Sequence, residues 1–187
     1  MRTIEIKAYN FDELSEDAQN KAIEYFSDIN VNEEWWKYEL EEFVSELDKI
    51  GFEDAEIHFS GFYSQGDGLC FDAKINLDKF VLDANEQRIC NLINNGNLEP
   101  LFIAKNSYSN HYSYEKTRYV DYYSICHNNI NLLLDKICIS IEDFRLTICK
   151  DFYRRLKQQY EYLCSPEAIK ETIICNDYEF TESGELI

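Results

Sequence analysis

The sequence predicts an α+β fold in which an antiparallel sheet of about four to six strands packs against several helices. Segments with the 3.6-residue apolar period of helices are mixed irregularly with segments of period two, which argues against the βαβ succession of a parallel sheet. The 187 residues are 45% hydrophobic and 15% aromatic, which is enough for one continuous core. With two prolines, six glycines and no linker-like run, residues 1–187 are expected to form a single domain.

The first fifty residues predict one strand and two helices. Residues 2–8 alternate between apolar and polar side chains, as in a strand. Ser15 is a suitable N-cap for a helix with the apolar stripe Ala18, Ala22, Ile23 and Phe26. The second helix is predicted to start after Asn32 and to end at Gly51, and its core face comprises Trp36, Leu40, Phe43, Val44, Leu47 and Ile50.

The remaining elements follow from the same periodicities. Strands are predicted at 54–62 and 69–77, joined by a hairpin loop at Ser64 to Gly68, and at 100–107 and 117–125, on either side of a tyrosine-rich loop. Helices are predicted at 78–95, from Ser140 to Cys164 and, with Pro166 in the first position, at 166–175. The tail is predicted to form a small β-turn unit that bends at Ser183 and Gly184.

The charge balance predicts the kind of partner. Thirty-six acidic and 18 basic residues give a formal net charge of −18. Such a field repels nucleic acids and anionic membranes and attracts basic surfaces, so we expect no direct nucleic-acid binding and no membrane binding. The alternative is that the acidity only maintains solubility.

The cysteines and the N-terminus indicate a compartment. The seven cysteines are odd in number and widely spread, which is typical of reduced thiols in a cytosol. The first residues lack the features of a secretory signal, and no apolar run approaches the roughly 18 residues that span a bilayer. A cytoplasmic protein is expected, in the host cell if a phage encodes it.

The sequence carries no recognisable catalytic or metal-binding pattern. The three histidines are far apart and no Cys-x-x-Cys occurs, which argues against zinc. Phosphate-binding, dinucleotide-binding, nucleophile-elbow and H-E-x-x-H motifs are also missing. We therefore expect no catalytic residues, no metal and no cofactor.

The phrase from Ser60 to Gly68 allows two interpretations. Its hydroxyls, amide, carboxylate and glycines would suit a small ligand or a metal ion, with Asp67 and His111 as functional groups. Alternatively, the phrase is a tight hairpin, in which Gly66 and Gly68 adopt positive φ and Asp67 bonds the backbone.

A partner-binding surface is the more specific expectation. Glu34, Glu41 and Asp48 are spaced along one ridge of the predicted second helix, about 10 Å apart. Trp35 beside them would anchor an arginine or lysine of the partner. The loop side chains Tyr63, Gln65, Asp67, His111 and Tyr112 complete the expected surface.

The chain resembles a family of bacteriophage and mobile-element proteins, some of them labelled antitoxin-like. The resemblance rests on Tyr9 to Ser15, the SGFYSQGDG phrase at 60–68, Tyr108 to Tyr112 and the ending Asn176 to Gly184. It implies a phage or plasmid context and supplies no catalytic residue.

Three functions agree with these observations. The first is an anti-defence inhibitor, similar to anti-CRISPR proteins, that binds the basic surface of a host protein or ribonucleoprotein complex. The second is an antitoxin-like partner of a basic toxin. The third is an enzyme or small-ligand binder that uses the 60–68 loop.

Overall fold

The computed structural model describes residues 5–79, 101–106, 118–123 and 128–187. The helices are α1 (Glu16–Tyr25), α2 (Lys37–Lys49), α3 (Asn128–Leu163) and α4 (Pro166–Cys175). The strands are β1 (Tyr9–Asn10), β2 (Phe52–Phe59), β3 (Leu69–Ile75), β4 (Leu101–Asn106), β5 (Arg118–Tyr123) and β6 (Glu179–Phe180). Strands β1 and β6 pair with each other, and the other four follow the order β2-β3-β4-β5, with every neighbouring pair antiparallel.

Helices and antiparallel strands occur together, so the chain has a mixed helix and strand fold, in agreement with the predicted class. The expected number of strands in one sheet stays a prediction, because residues 80–100 and 107–117 lie outside the described residues. Most of the predicted helix 78–95 and the tyrosine-rich loop fall in these gaps. Among the described residues, no helix is long and apolar enough to cross a membrane.

The chain divides into two compact units. Unit 1 comprises Met1–Trp36 and Lys157–Ile187, and unit 2 comprises Lys37–Leu156. The boundary falls inside α3, whose last residues belong to unit 1. One domain over residues 1–187 stays a prediction, since compact units also occur within single domains.

Unit 1 is held together by one apolar cluster that joins the two ends of the sequence. The rings of Phe11, Phe26 and Phe180 meet at its centre, where Phe26 and Phe180 are 6.2 Å apart. Helices α1 and α4 have the N-caps that their sequences favour. The Ser15 hydroxyl accepts the N–H of Ala18, and the Ser165 hydroxyl accepts that of Ala168. Burial of these rings and of Ala18, Ala22, Ile169 and Ile173 is the main stabilising contribution to the unit.

The predicted opening strand at 2–8 is wrong for the part that the structure describes. Residues 5–8 have no regular structure, and Ile6 is 61% exposed. Strand pairing begins only at Tyr9, because β6 provides just two partner residues. The chain then turns at Phe11, whose side chain is buried in the core. The predicted β-turn unit of the tail is confirmed: the Glu185 carbonyl accepts the N–H of Thr181, and Gly184 has a φ of 80°.

The core of unit 2 includes an aromatic contact between α2 and α3. The rings of Phe43 and Phe152 are stacked with centroids 4.1 Å apart and planes 8° apart. Phe52 of β2 lies against Phe71 of β3 and against Phe144 of α3, so the same core includes the sheet.

Two predicted helix starts are wrong. Helix α2 begins at Lys37 instead of after Asn32, because residues 31–36 form turns in which the Glu33 carbonyl accepts the N–H of Trp35. Helix α3 begins at Asn128, so Ser140 lies inside it. Ile137 and Ile141 are both buried and one turn apart, so the apolar stripe continues toward the N-terminus past the apparent cap.

The β2-β3 hairpin agrees with the prediction apart from its bounds. In this hairpin Phe59 pairs with Leu69 at the loop end and Phe52 pairs with Ile75 at the other end. The pairing is irregular between Glu53 and Glu56. Asp54 lies there with a φ of 53° and pairs with Lys74 at 2.6 Å. Strands β4 and β5 also lie within the predicted segments. The described residues include five cysteines, none of which forms a disulfide with another described cysteine: Cys70, Cys138, Cys149, Cys164 and Cys175.

Gly184 provides a test of the packing in unit 1. A Cβ atom at this position would overlap the carbonyl oxygen of Ala18, whereas a Cβ atom at Gly66, which also has positive φ, meets no atom within 4 Å. Gly184→Ala should therefore lower the free energy of unfolding by about 2 kcal/mol more than Gly66→Ala. Urea unfolding followed by far-ultraviolet circular dichroism measures both variants, because Gly184 lies in unit 1, Gly66 lies in unit 2 and both units contain helices. Equal losses in the two variants would contradict the close approach.

Candidate functional site

The outward face of α2 is the strongest candidate for a binding surface. At 100° per residue, six exposed residues fall within an arc of about 120°. We call this the acidic α2 face; it comprises Tyr38, Glu41, Glu42, Ser45, Asp48 and, at its C-terminal end, the single cation Lys49. Phe43 and Leu47, both fully buried, point the opposite way into the core. The amphipathic pattern of the helix thus fixes which side chains remain available.

Several acids near this face are already paired within unit 2. Glu46 accepts two hydrogen bonds from the Arg155 guanidinium, both 2.8 Å long. Lys79 lies 3.7 Å from the Asp48 carboxylate and donates to the Asp48 carbonyl oxygen at 2.8 Å. Within the described residues, Glu41 and Glu42 have no ion-pair partner. The negative potential of the face is therefore concentrated at these two carboxylates.

Tyr38 lies one helical turn before these two carboxylates, and sequence reasoning missed it. Its side chain is 82% exposed, the highest value among the large hydrophobic residues of the described part. Glu41 and Glu42 follow it by three and four residues, the spacing of helix neighbours. The sequence did contain a signal for this exposure, because a helical projection from Lys37 onward places Tyr38 opposite the core residue Phe43.

The structure separates the predicted ridge. Glu41 and Asp48 are exposed on α2 as expected, whereas Glu34 is exposed in the turn before α2 and belongs to unit 1. Trp35 also precedes the helix and is half-buried, with its ring 5.7 Å from Tyr160 and 5.9 Å from Trp36. Trp35 thus takes part in an aromatic cluster of unit 1 and is not a residue of α2.

The 60–68 loop is closed by its own hydrogen bonds. Asp67 Oδ2 accepts the N–H groups of Tyr63 at 2.9 Å and Ser64 at 2.7 Å. The Ser60 hydroxyl accepts the N–H of Gly68, and the Gly68 carbonyl accepts that of Ser60. Gly61 has a φ of 113°, and a Cβ there would lie 3.1 Å from Asp67 Oδ2. This geometry favours the hairpin interpretation, with Gly61 and Gly66 at positive φ instead of the predicted Gly66 and Gly68.

The loop also contacts α3 through aromatic rings. Phe62 lies 5.3 Å from Tyr153, whose pKa is raised by burial and by the nearby Asp67 and Tyr63. Tyr63 is 72% exposed, and Gln65 is exposed as well. The predicted His111 and Tyr112 lie outside the described residues, so the structure leaves their place in the surface untested.

A buried arginine and a half-buried histidine–aspartate pair in unit 2 were also missed. The Arg145 side chain is fully buried, donates through Nε to Glu142 at 3.0 Å and lies over the Phe71 ring. The sequence signal for this burial was the four-residue spacing from Ile141, which places Arg145 on the same apolar face of the helix. On the sheet, His58 Nε2 is 3.6 Å from the Asp72 carboxylate. Neither arrangement gathers three metal-ligating side chains, and no such group occurs among the described residues.

These features define a protein of mixed helices and antiparallel strands that has an acidic helix face and a self-bonded hairpin. Residues 35–166 match the family described as Domain of unknown function (DUF8835), and the chain belongs to this family because the match covers more than half of it. The match includes all of unit 2 and the 60–68 loop. No curated protein and no solved structure matches the chain.

Asp67 provides a test of the hairpin interpretation. Asp67→Ala removes the acceptor of two backbone N–H groups and should lower the free energy of unfolding by about 1 to 2 kcal/mol. Gln65→Ala is the matched control, because Gln65 is an exposed side chain of the same loop, and it should change stability by less than about 0.5 kcal/mol. Urea unfolding followed by far-ultraviolet circular dichroism measures both. An undiminished stability of Asp67→Ala would favour a ligand role for the carboxylate.

The Glu46–Arg155 pair predicts a pH dependence. Its hydrogen bonds hold the pKa of the Glu46 carboxyl below its ordinary value. A lowered folded-state pKa means that the pair stabilises the protein above the unfolded pKa of about 4.3 and is lost as pH falls through the folded value. The stability difference between wild type and Glu46→Gln should be about 1 kcal/mol near neutral pH and should vanish near about pH 3.

Urea unfolding of wild type and Glu46→Gln across this pH range tests the pair. Glu41→Gln is the control, since Glu41 has no ion-pair partner in the described residues, and its difference from wild type should stay small at every pH. A Glu46→Gln difference that does not change with pH would show that the pair is not the cause.

Proposed function

We propose that the protein works without catalysis, by binding a basic surface of a host protein or ribonucleoprotein complex through the acidic α2 face. The observation that carries the proposal is the exposed Tyr38 beside Glu41 and Glu42. These two carboxylates have no ion-pair partner in the described part of the chain, whereas their neighbour Glu46 is neutralised by Arg155. An exposed aromatic side chain one turn from two carboxylates suits contact with arginine or lysine.

The net charge of −18 supports this choice of partner. A field of that size accelerates encounter with basic surfaces and opposes approach to nucleic acid. Complementary charge chiefly raises the association rate, whereas a desolvated aromatic anchor chiefly slows dissociation. The acidic α2 face combines both groups on one helix, so the two contributions can be measured separately.

Within this class, the proposal is an anti-defence inhibitor of the anti-CRISPR type that acts in the host cytoplasm. Its support is the resemblance to phage and mobile-element proteins together with a surface that would compete for basic nucleic-acid-binding sites. The same face would also suit an antitoxin that neutralises a basic toxin, and a toxin gene beside this one would favour that alternative. The proposal also includes a single antiparallel sheet of four to six strands that supports α2.

An enzyme or metal-binding role for the 60–68 loop has less support. The Asp67 carboxylate, its main functional group, accepts backbone N–H groups of the loop itself. Coordination of a ligand by Asp67 Oδ2 would compete with these bonds.

The proposal predicts separable kinetic effects. Reversal of Glu41, Glu42 and Asp48 to lysine should slow association with the captured partner about tenfold at low salt and less at high salt, because exposed charges are screened. Tyr38→Ala should leave association nearly unchanged and should speed dissociation about tenfold. Affinity capture from host lysate identifies the partner, and surface plasmon resonance measures both rates.

The matched control reverses Glu24, Asp28 and Glu182, three exposed acids of unit 1, and so changes the net charge equally. Circular dichroism verifies that each variant is folded. Equal slowing by the two triple variants would mean that only the total charge matters, and unchanged rates for the Tyr38 variant would exclude the anchor.

A further inference from the structure

Unit 1 contains a surface groove of about 350 Å³ at the C-terminal end of α4. One side is formed by the turn after β1, which contributes Phe11, Asp12 and Glu13, and the other by Ile174, Asp177 and Tyr178. The groove lies entirely within unit 1 and shares no residue with the acidic α2 face.

The apolar part of the groove is partly open to solvent. Ile174 is 39% exposed although it follows the fully buried Ile173. Tyr178 is half-buried, and its ring stacks on Phe26 with centroids 4.8 Å apart, so it forms a fixed wall. An apolar side chain of a ligand would therefore find a preformed contact here.

The charge of the groove is negative from two independent sources. Asp12, Glu13 and Asp177 are exposed carboxylates that line it. The groove also receives the C-terminal end of α4, where the helix dipole is negative and no basic residue occupies the last turn. Both sources favour a cation.

At the edge of the groove, a lysine of the chain itself already binds a carboxylate and an aromatic ring, as a basic ligand would. Lys170 Nζ is 3.3 Å from the Asp12 carboxylate and 5.4 Å from the centre of the Phe11 ring. This ammonium group satisfies Asp12 in part, whereas Glu13 and Asp177 have no ion-pair partner in the described part of the chain. The groove can therefore accept further positive charge next to its apolar wall.

We propose that this groove is a second docking site, which takes a basic peptide segment of a protein partner with an apolar side chain between cationic ones. The apolar side chain packs against Ile174 and Tyr178, and the cationic groups pair with Glu13 and Asp177. The inference does not depend on the function proposed for the acidic α2 face.

The test uses a fluorescein-labelled peptide in which leucine lies between lysine and arginine, titrated with the full chain near physiological salt. Fluorescence anisotropy should show saturable binding. The combined variant Asp12→Asn, Glu13→Gln and Asp177→Asn should weaken it about tenfold. Asparagine tolerates the positive φ of 52° at position 177, and glutamine retains an oxygen for the N–H of Asn10, so the fold is preserved.

The control variant Glu24→Gln, Asp28→Asn and Glu182→Gln removes the same charge outside the groove and should weaken binding less than about twofold.

Ile174→Lys is a second test. The ammonium group of the new lysine would occupy the groove and should abolish binding, while tryptophan fluorescence shows that unit 1 is folded. Replacement of the peptide leucine by serine should also weaken binding. The proposal is overturned if the wild type does not bind, if the control weakens binding as much as the groove variant, or if Ile174→Lys binds normally.

Discussion

The stacked contact between Phe43 of α2 and Phe152 of α3 is the constraint on which unit 2 depends. The rings lie 4.1 Å apart, and the Arg155 guanidinium covers Phe43 at 4.6 Å while it binds Glu46. Aromatic stacking, a cation over a ring and a bidentate ion pair together fix the rotation of α2 about its axis. Once that rotation is fixed, the opposite side of the helix must face solvent. The acidic α2 face is therefore a direct consequence of core packing.

The distribution of negative charge matters more than its total. Glu46, Asp54 and Asp151 form ion pairs with arginine or lysine, which limits their attraction for other molecules. Glu41 and Glu42 in unit 2 and Glu13 and Asp177 in unit 1 have no such partner within the described residues. Unpaired like charges destabilise a folded chain through repulsion. Two places at which they coincide with exposed aromatic or aliphatic side chains are thus the natural candidates for contact with basic partners.

The 60–68 phrase shows how a distinctive sequence can have a conformational cause. Gly61 allows the backbone to pass close to Asp67, and the Asp67 carboxylate closes the turn by accepting the N–H groups of Tyr63 and Ser64. The ring of Phe62 then attaches the loop to Tyr153 of α3. These contacts account for glycine, aspartate and phenylalanine at their positions without a ligand.

The sequence by itself determined the mixed helix and strand class, the cap of α1 at Ser15, the β2-β3 hairpin and the exposure of Glu41 and Asp48, because each depends on neighbours within a few residues. It did not determine where α2 begins, since the aromatic contact of Trp35 with Tyr160 joins residues that are distant in sequence. For the same reason it missed the burial of Arg145 and the pairing of Glu46 with Arg155. The groove of unit 1 was decided only by the tertiary structure, because local periodicity describes one face of one element, whereas this groove requires side chains that only folding brings together.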